Sequence, residues 1–240
     1  MEKKPKAGRK FKSESLRIKS IAWAFAAKNI NDPFGTGDGL LPKYSLNKYL
    51  PDDIKFDLKT FKEMKQSVRT PTESTLTSIN DSLPNSRRYF DTGIWELTFY
   101  ESFGKIPIKK AFDRLDPVIT KGWQKPQVSE KIFWRNLKKD NQVKVAELAG
   151  IEDYFLKNEY DNPDVRIEIL QCVAFLMHES VLLQDLERLN ICHESWKRYL
   201  NDALSSRGRG TRCFSSPDIR NHLINFSNQI ENLRKKERSN

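Results

Sequence analysis

The apolar residues in the first part of the chain recur at the three- and four-residue spacing of amphipathic helices. The first such stretch predicts a helix that begins near Ser15, with Ser13 or Ser15 as its N-cap, and ends before Asn31. Two short helices are predicted to follow, over residues 46–50 and 58–65. The apolar positions of the first helix are Leu16, Ile18, Ile21, Ala22, Phe25 and Ala26.

A further helix is predicted over residues 72–83, where three apolar residues share one face. Thr70 or Thr72 can cap it, and Pro71 stands near its first position, where a proline costs no hydrogen bond. The apolar face consists of Leu76, Ile79 and Leu83. An aromatic-rich stretch over 90–100 then predicts the place where the core of this half closes.

The most apolar stretch of the chain lies in the second half and predicts one long helix over residues 165–189. Apolar residues surround the middle of this helix instead of forming a stripe, which is typical of a helix at the centre of a fold. Other helices are predicted over 143–156 with an interruption at Gly150, over 193–204 and over 218–238. No alternation typical of strands occurs, so we expect a mainly α, multi-helix protein.

Basic residues exceed acidic ones by ten, and the surplus is distributed unevenly. Residues 1–19 have eight Lys and Arg against two Glu, and residues 101–150 have eleven basic against six acidic. Residues 151–200 have the opposite balance, five basic against ten acidic, and the acidic stretch from Glu152 to Asp164 predicts a solvated face or a docking patch. Because a cationic surplus attracts polyanions, we predict nucleic acid as the partner.

Several features bear on the compartment. No apolar run approaches the roughly 20 residues that cross a bilayer, so no membrane partner is expected. The first 19 residues lack the apolar core of a secretory signal. The three cysteines make no framework for a secreted scaffold and are interpreted as reduced thiols. A cytoplasmic protein is expected.

The search for catalytic chemistry gives no candidate residue. The cysteines and histidines lack zinc-site spacing, and no serine lies in a nucleophile elbow. The pair Asp52 and Asp57, with Lys59, superficially matches a nuclease pattern, but the interval is too short for a site taken from two strands. Asp164 with Glu168 lacks the following lysine. No catalytic residue, metal ligand or cofactor is therefore predicted, and a non-enzymatic role is favoured.

Residues 64–83 (MKQSVRTPTESTLTSINDSL) place a basic residue and a proline between two predicted helices. This segment resembles the end of a divergent Cro/repressor-type (XRE-like) helix-turn-helix domain. The resemblance implies that residues 58–65 are a recognition helix with Lys59, Lys62 and Lys65 toward DNA. It also implies that Arg69 lies near a phosphate. An ordinary helix–proline–helix junction is the alternative explanation of the same residues.

Two short motifs after this segment, residues 83–86 (LPNS) and 93–95 (GIW), are similar to a pattern in uncharacterised bacterial proteins, which implies a bacterial or mobile-element context.

The predicted helices and the charge distribution divide the chain into four parts. They are a flexible basic arm over 1–14, a helical, helix-turn-helix-like domain over 15–100, a basic connector over 101–140, and a helical C-terminal domain over 141–240.

These patterns favour a DNA-binding regulator or accessory protein, acting in transcription regulation. Its predicted contacts are the recognition helix with Arg69, the arm and a basic loop, where the arm contributes Arg9, Lys10 and Lys12 and the loop contributes Arg207 and Arg209. The C-terminal half would serve dimerisation or a protein partner. Two alternatives stay open: a helical adaptor module of a bacterial defence or mobile-element system without nucleic-acid contact, and a metal-dependent nuclease.

Overall fold

A computed structural model describes residues 13–31, 63–64, 70–99, 103–123, 146–158, 164–205, 213–214 and 216–239. Within these ranges the chain forms helices and turns without a strand, which confirms the mainly α prediction. None of the helices found there is long and apolar enough to cross a bilayer. The helices are α1 Glu14–Asn31, α2 Glu73–Ser82, α3 Arg88–Asp91, α4 Ile94–Leu97, α5 Ile108–Phe112, α6 Ala146–Asn158, α7 Val165–Leu182, α8 Leu186–Ser205 and α9 Pro217–Ser239.

Helix α7 lies at the centre of the molecule, as its apolar surface predicts. Every residue from Ile167 to Ser180 is buried, because α4, α5, α6 and α8 all pack against this helix. Full burial of a side chain such as Phe175 contributes roughly 1.5–3 kcal/mol. The main hydrophobic cluster also includes residues of α1 and α9, so it joins both halves of the sequence.

The predicted helix over 165–189 is wrong at its C-terminal end, because α7 stops at Leu182 and α8 begins at Leu186. Gln184 adopts a left-handed conformation with φ 54°, which turns the chain. Asp185 Oδ1 then accepts a hydrogen bond from the Arg188 amide at 2.9 Å and caps the new helix. The apolar pattern continues across this turn, so periodicity alone could not locate it.

Helix α1 is buried on two faces. Ile18, Ile21 and Ala22 belong to the main cluster, while Trp23 lies in a second cluster formed with α2. The second cluster contains the predicted apolar face of α2, which is thereby confirmed: Leu76, Ile79 and Leu83.

The N-caps of α1 and α2 resolve the predicted alternatives. Ser13 Oγ accepts a hydrogen bond from the Leu16 amide at 3.3 Å, and Thr72 Oγ1 accepts one from the Thr75 amide at 3.3 Å. Because Thr72 is the cap, Pro71 precedes α2 instead of occupying its first position.

Helix α6 continues through Gly150, contrary to the predicted interruption. One glycine inside a helix costs only about 1 kcal/mol relative to alanine. The packing of the next residue, Ile151, which is fully buried, offsets this cost. A Cβ atom added at Gly150 would meet nothing within 4 Å.

Gly150→Ala is therefore expected to raise the free energy of unfolding by about 0.5–1 kcal/mol, because alanine restricts the unfolded chain and fits the helix. Urea denaturation measures the change. The matched control is Gly104→Ala, which is expected to destabilise the protein: Gly104 has φ 71°, and a Cβ there would lie 2.8 Å from Val181 Cγ1. A less stable Gly150→Ala variant would contradict the continuous α6.

Candidate nucleic-acid interface

The DNA contacts predicted from the sequence all lie outside the described residues: Lys59, Lys62, Lys65, Arg69, Arg9, Lys10, Lys12, Arg207 and Arg209. The same is true of Asp52 and Asp57. Of the predicted recognition helix, Glu63 and Met64 are described, and both are helical. Met64 is buried against the apolar face of α2.

Many described basic side chains pair with acidic ones, several of them from residues 151–200. Arg188 Nη1 lies 2.6 Å from Glu179 Oε2, and both side chains are buried. Arg198 and Arg234 form more exposed pairs with Glu152 and Glu194. Much of the acidic surplus of this region is therefore neutralised within the chain.

An ionic network around two buried carboxylates joins α3, α6 and α7. Arg88 forms ion pairs with Glu168 and Asp164, Tyr89 donates a hydrogen bond to Asp164, and Tyr154 donates one to Glu168 at 3.1 Å. Buried carboxylates need such partners to offset their lost hydration. The predicted solvated acidic face is wrong for Asp164, which is 4% exposed and has a structural role.

The segment 103–123, which contains α5, has a different balance. Four lysines there are exposed and make no ion pair within the described part of the chain: Lys105, Lys109, Lys110 and Lys121. Arg114 pairs with Glu96, and its side chain is still 48% exposed. We call these five cations the α5 surface. The four lysines are the part of the 101–150 surplus that the described structure leaves without an ion pair.

The α5 surface is anchored to the central helix by aromatic packing. Phe112 and Trp123 lie against Phe175 of α7, with ring centroids 5.7 Å and 6.5 Å apart. The aromatic side chains of the segment thus face inward while its lysines face solvent. Trp123 could in principle stack on a base, but its contact with Phe175 makes it part of the core packing.

A cleft of about 200 Å³ lies beside α5. Its walls are largely apolar, with Leu97, Ile106, Pro107 and Ala111, and Gly93 also lines it. Its charged lining consists of Glu96, Lys110 and Arg114.

Glu96 is the acidic member of this lining and is held by two cations. Lys19 Nζ of α1 lies 2.6 Å from Glu96 Oε1, and Arg114 pairs with Oε2. Partial burial acts to raise the pKa of Glu96, but the hydrogen bonds and charges of Lys19 and Arg114 lower it overall. Glu96 is therefore ionised at neutral pH.

Sequence reasoning did not single out the individual residues of this surface. The surplus over 101–150 indicated the region, but the lysines of 105–110 could not be separated from those that pair internally. The sequence does not predict the cleft, because two separate segments, 93–97 and 106–114, form it together.

The three histidines are neutral structural groups. At His178 the Gly104 amide donates to Nδ1 at 3.1 Å, so Nε2 carries the proton and donates to the Leu97 carbonyl at 2.6 Å. Burial lowers the pKa of His178 to about 4, although the bond to Leu97 opposes the shift. Protonation of Nδ1 would place a second hydrogen against the Gly104 amide.

His193 has the same arrangement, and His222 is also buried. Arg234 donates to His193 Nδ1 at 2.6 Å, so Nε2 donates to Ser227. Burial, followed by the charge of Arg234, lowers the pKa of His193 to about 4, so its approach to Glu231 is no ion pair at neutral pH. His222 bonds Thr98 Oγ1 at 2.8 Å, and burial again lowers its pKa to about 4.

The cysteines are free and buried, as predicted for reduced thiols. Burial raises the pKa of Cys192 to about 12, which makes its thiol a poor nucleophile. Across the described ranges, no group of three or more His, Cys, Asp or Glu side chains is arranged to hold a metal ion.

The described residues thus define a mainly α protein with a central buried helix and a cationic surface beside a small cleft. No protein-family model matches the chain, and neither a curated protein nor a solved structure matches it.

Acidification is expected to destabilise the fold. Each histidine binds a proton in the unfolded chain near pH 6.5 and in the folded chain only near pH 4. The unfolded state therefore binds more protons between these values, and stability falls as pH falls, by up to about 4 kcal/mol per pH unit for three sites. Urea denaturation from pH 8 to about 5 measures the slope. The histidines give no slope above about pH 7.5, which is the internal control, and a flat profile down to pH 5 would contradict the assignment.

Proposed function

We propose that this protein binds nucleic acid, with DNA as the expected form, and acts as a regulator or accessory factor. The observation that carries the proposal is the α5 surface, where four exposed lysines lack acidic partners within the described structure. Unpaired surface cations bind phosphates favourably because they release condensed counterions. Paired cations such as Arg188 cannot do so without leaving a buried carboxylate uncompensated.

The basic arm can contribute to the same surface. Ser13 precedes Lys19 by six residues, about 9 Å along α1, and Lys19 pairs with Glu96 at the edge of the cleft. Arg9, Lys10 and Lys12 lie within four residues of Ser13, so chain geometry limits them to about 14 Å from it. Chain length therefore allows the arm to reach a polyanion that is bound at the α5 surface.

The helix-turn-helix-like segment supplies the DNA-specific part of the proposal. Thr72 caps α2 and the apolar face of α2 is buried with Met64, which is compatible with a short helix packing just before Pro71. Lys59, Lys62 and Lys65 would then contact DNA and Arg69 a phosphate, as the resemblance implies.

A helical interaction module is the second candidate. Leu156, on α6, is 63% exposed, although it is a large apolar side chain. Such a residue contributes to protein interfaces when neighbours extend the patch. A protein partner that co-purifies in stoichiometric amount after nuclease treatment would favour this candidate.

Replacing Lys105, Lys109 and Lys110 together by Ala is expected to weaken binding to duplex and single-stranded DNA. Each lost phosphate contact reduces the slope of log affinity against log salt by about 1. Fluorescence anisotropy over a salt series measures both quantities. The matched control replaces Lys157, Lys197 and Lys235 by Ala. This removes the same net charge, but from lysines that already pair with acids on their own helices. Equal losses in both variants would show that binding depends on net charge alone.

The triple substitution Lys59→Ala, Lys62→Ala and Arg69→Ala tests the helix-turn-helix-like segment separately. If residues 58–65 enter the major groove, duplex binding falls while binding to single-stranded DNA changes less, because the groove exists only in the duplex. Competition with labelled duplex and single strand measures the ratio. A variant that binds duplex like the parent would remove these residues from the proposal.

A further inference from the structure

The cleft beside α5 is concave and largely apolar. A surface that bound only phosphates would need neither feature. Its volume of about 200 Å³ is below the roughly 300–1,000 Å³ of sites for drug-sized ligands, so it suits a single ring system. Apolar side chains form its walls, whereas phosphates require cations. The cations lie at its edge, on α5 and just after it: Lys110 and Arg114.

We infer that this cleft receives one unstacked nucleobase of a bound single strand, with flanking phosphates on Lys110 and Arg114 and an exocyclic amino group of the base on Glu96. The inference rests on the proposed nucleic-acid binding and names the form recognised at this site. It makes the cleft a single-strand site, in addition to the duplex contacts expected of the surface lysines and of residues 58–65.

The combination of walls and cations favours a nucleotide over other anions. An unstacked base needs an apolar enclosure to replace its lost stacking, and its phosphates need cations within a few ångströms of that enclosure. Ala111 and Lys110 are adjacent on α5, and Arg114 follows about one turn later. One short stretch of chain therefore supplies both part of the apolar wall and the cations. A duplex cannot insert a base here without breaking a pair.

Glu96 determines which base is preferred. An ionised carboxylate accepts hydrogen bonds, and its pairs with Lys19 and Arg114 leave lone pairs free on a side chain that is 40% exposed. Cytosine offers an N4 amino group to such a carboxylate. Thymine offers a carbonyl oxygen at the same position, which the carboxylate repels. The cleft therefore prefers amino-bearing bases to thymine or uracil.

The first test fills the cleft without changing its charge. Ala111→Phe places an aromatic ring at the wall, and Val118→Phe, at a 66% exposed position of the same segment outside the lining, is the matched control. Affinity for oligo(dC) is expected to fall roughly tenfold in Ala111→Phe, since the variant excludes the one enclosed base from the cleft. Val118→Phe is expected to bind like the parent, and thermal unfolding checks that both variants are folded.

The second test concerns base preference and uses the full-length protein with oligo(dC) and oligo(dT) of equal length. The parent is expected to bind oligo(dC) several-fold more tightly, and Glu96→Gln is expected to reduce this ratio toward one, because a glutamine amide can both donate and accept. Equal parent affinities for the two oligonucleotides would overturn the role of Glu96.

The outcomes separate this inference from the proposed function. A parent protein that binds neither duplex nor single strand overturns both. A parent that binds both, with Ala111→Phe unchanged toward oligo(dC), overturns the base site and leaves the proposed function intact. Poly-Glu, an acidic peptide, tests carboxylate binding. If Ala111→Phe weakens binding of poly-Glu as much as binding of oligo(dC), the cleft binds carboxylates and the base site is also overturned.

Discussion

The fold depends on the complete burial of α7, a helix that carries polar side chains into the core as well as apolar ones. An unpaired polar group at such a depth costs about 1–3 kcal/mol, and an unpaired charge costs more. Each polar side chain of α7 therefore requires a partner: Ser180 donates to the Leu176 carbonyl of its own helix, and the larger polar side chains take partners from neighbouring elements. Glu168 takes Arg88 of α3, Glu179 takes Arg188 of α8, and His178 bridges the Leu97 carbonyl and the Gly104 amide. These bonds fix the positions of the surrounding helices. Apolar contacts alone would specify those positions less precisely.

The same requirement positions the candidate interface. Gln171 of α7 donates to the Arg114 carbonyl at 2.8 Å and accepts from Thr92 Oγ1 at 2.6 Å, so it links the two chain segments that line the cleft. Gly93 lies directly against this side chain, and a Cβ there would be 3.1 Å from Gln171 Nε2. The cleft is thus supported from beneath by a buried amide. A site built on such a support keeps its shape when its exposed lysines change conformation.

Charge is partitioned between structure and surface. Arginines provide the inner ion pairs, as expected from their planar, multiply donating guanidinium group, and the acidic residues of 151–200 supply many of the carboxylates. The exposed cations of the α5 surface are mostly lysines, which stay hydrated and pair weakly with neighbours. The net charge of +10 is therefore a poor guide to the surface. Many basic side chains of the described helices are paired internally, whereas segment 103–123 exposes several that are not.

The sequence by itself determined the helical class, the central position of α7, the apolar face of α2 and the regional charge surplus, because these follow from periodicity and composition. It did not determine the turn at Gln184 or the continuity through Gly150, since the apolar pattern continues across the first and packing of Ile151 offsets the second. Pairing was decided only in three dimensions: Arg88 meets Glu168 across 80 positions of sequence, and Glu96 meets Lys19 and Arg114 from opposite directions along the chain. The physical reason is that ion pairing and cleft formation depend on distances in space, which sequence spacing does not specify.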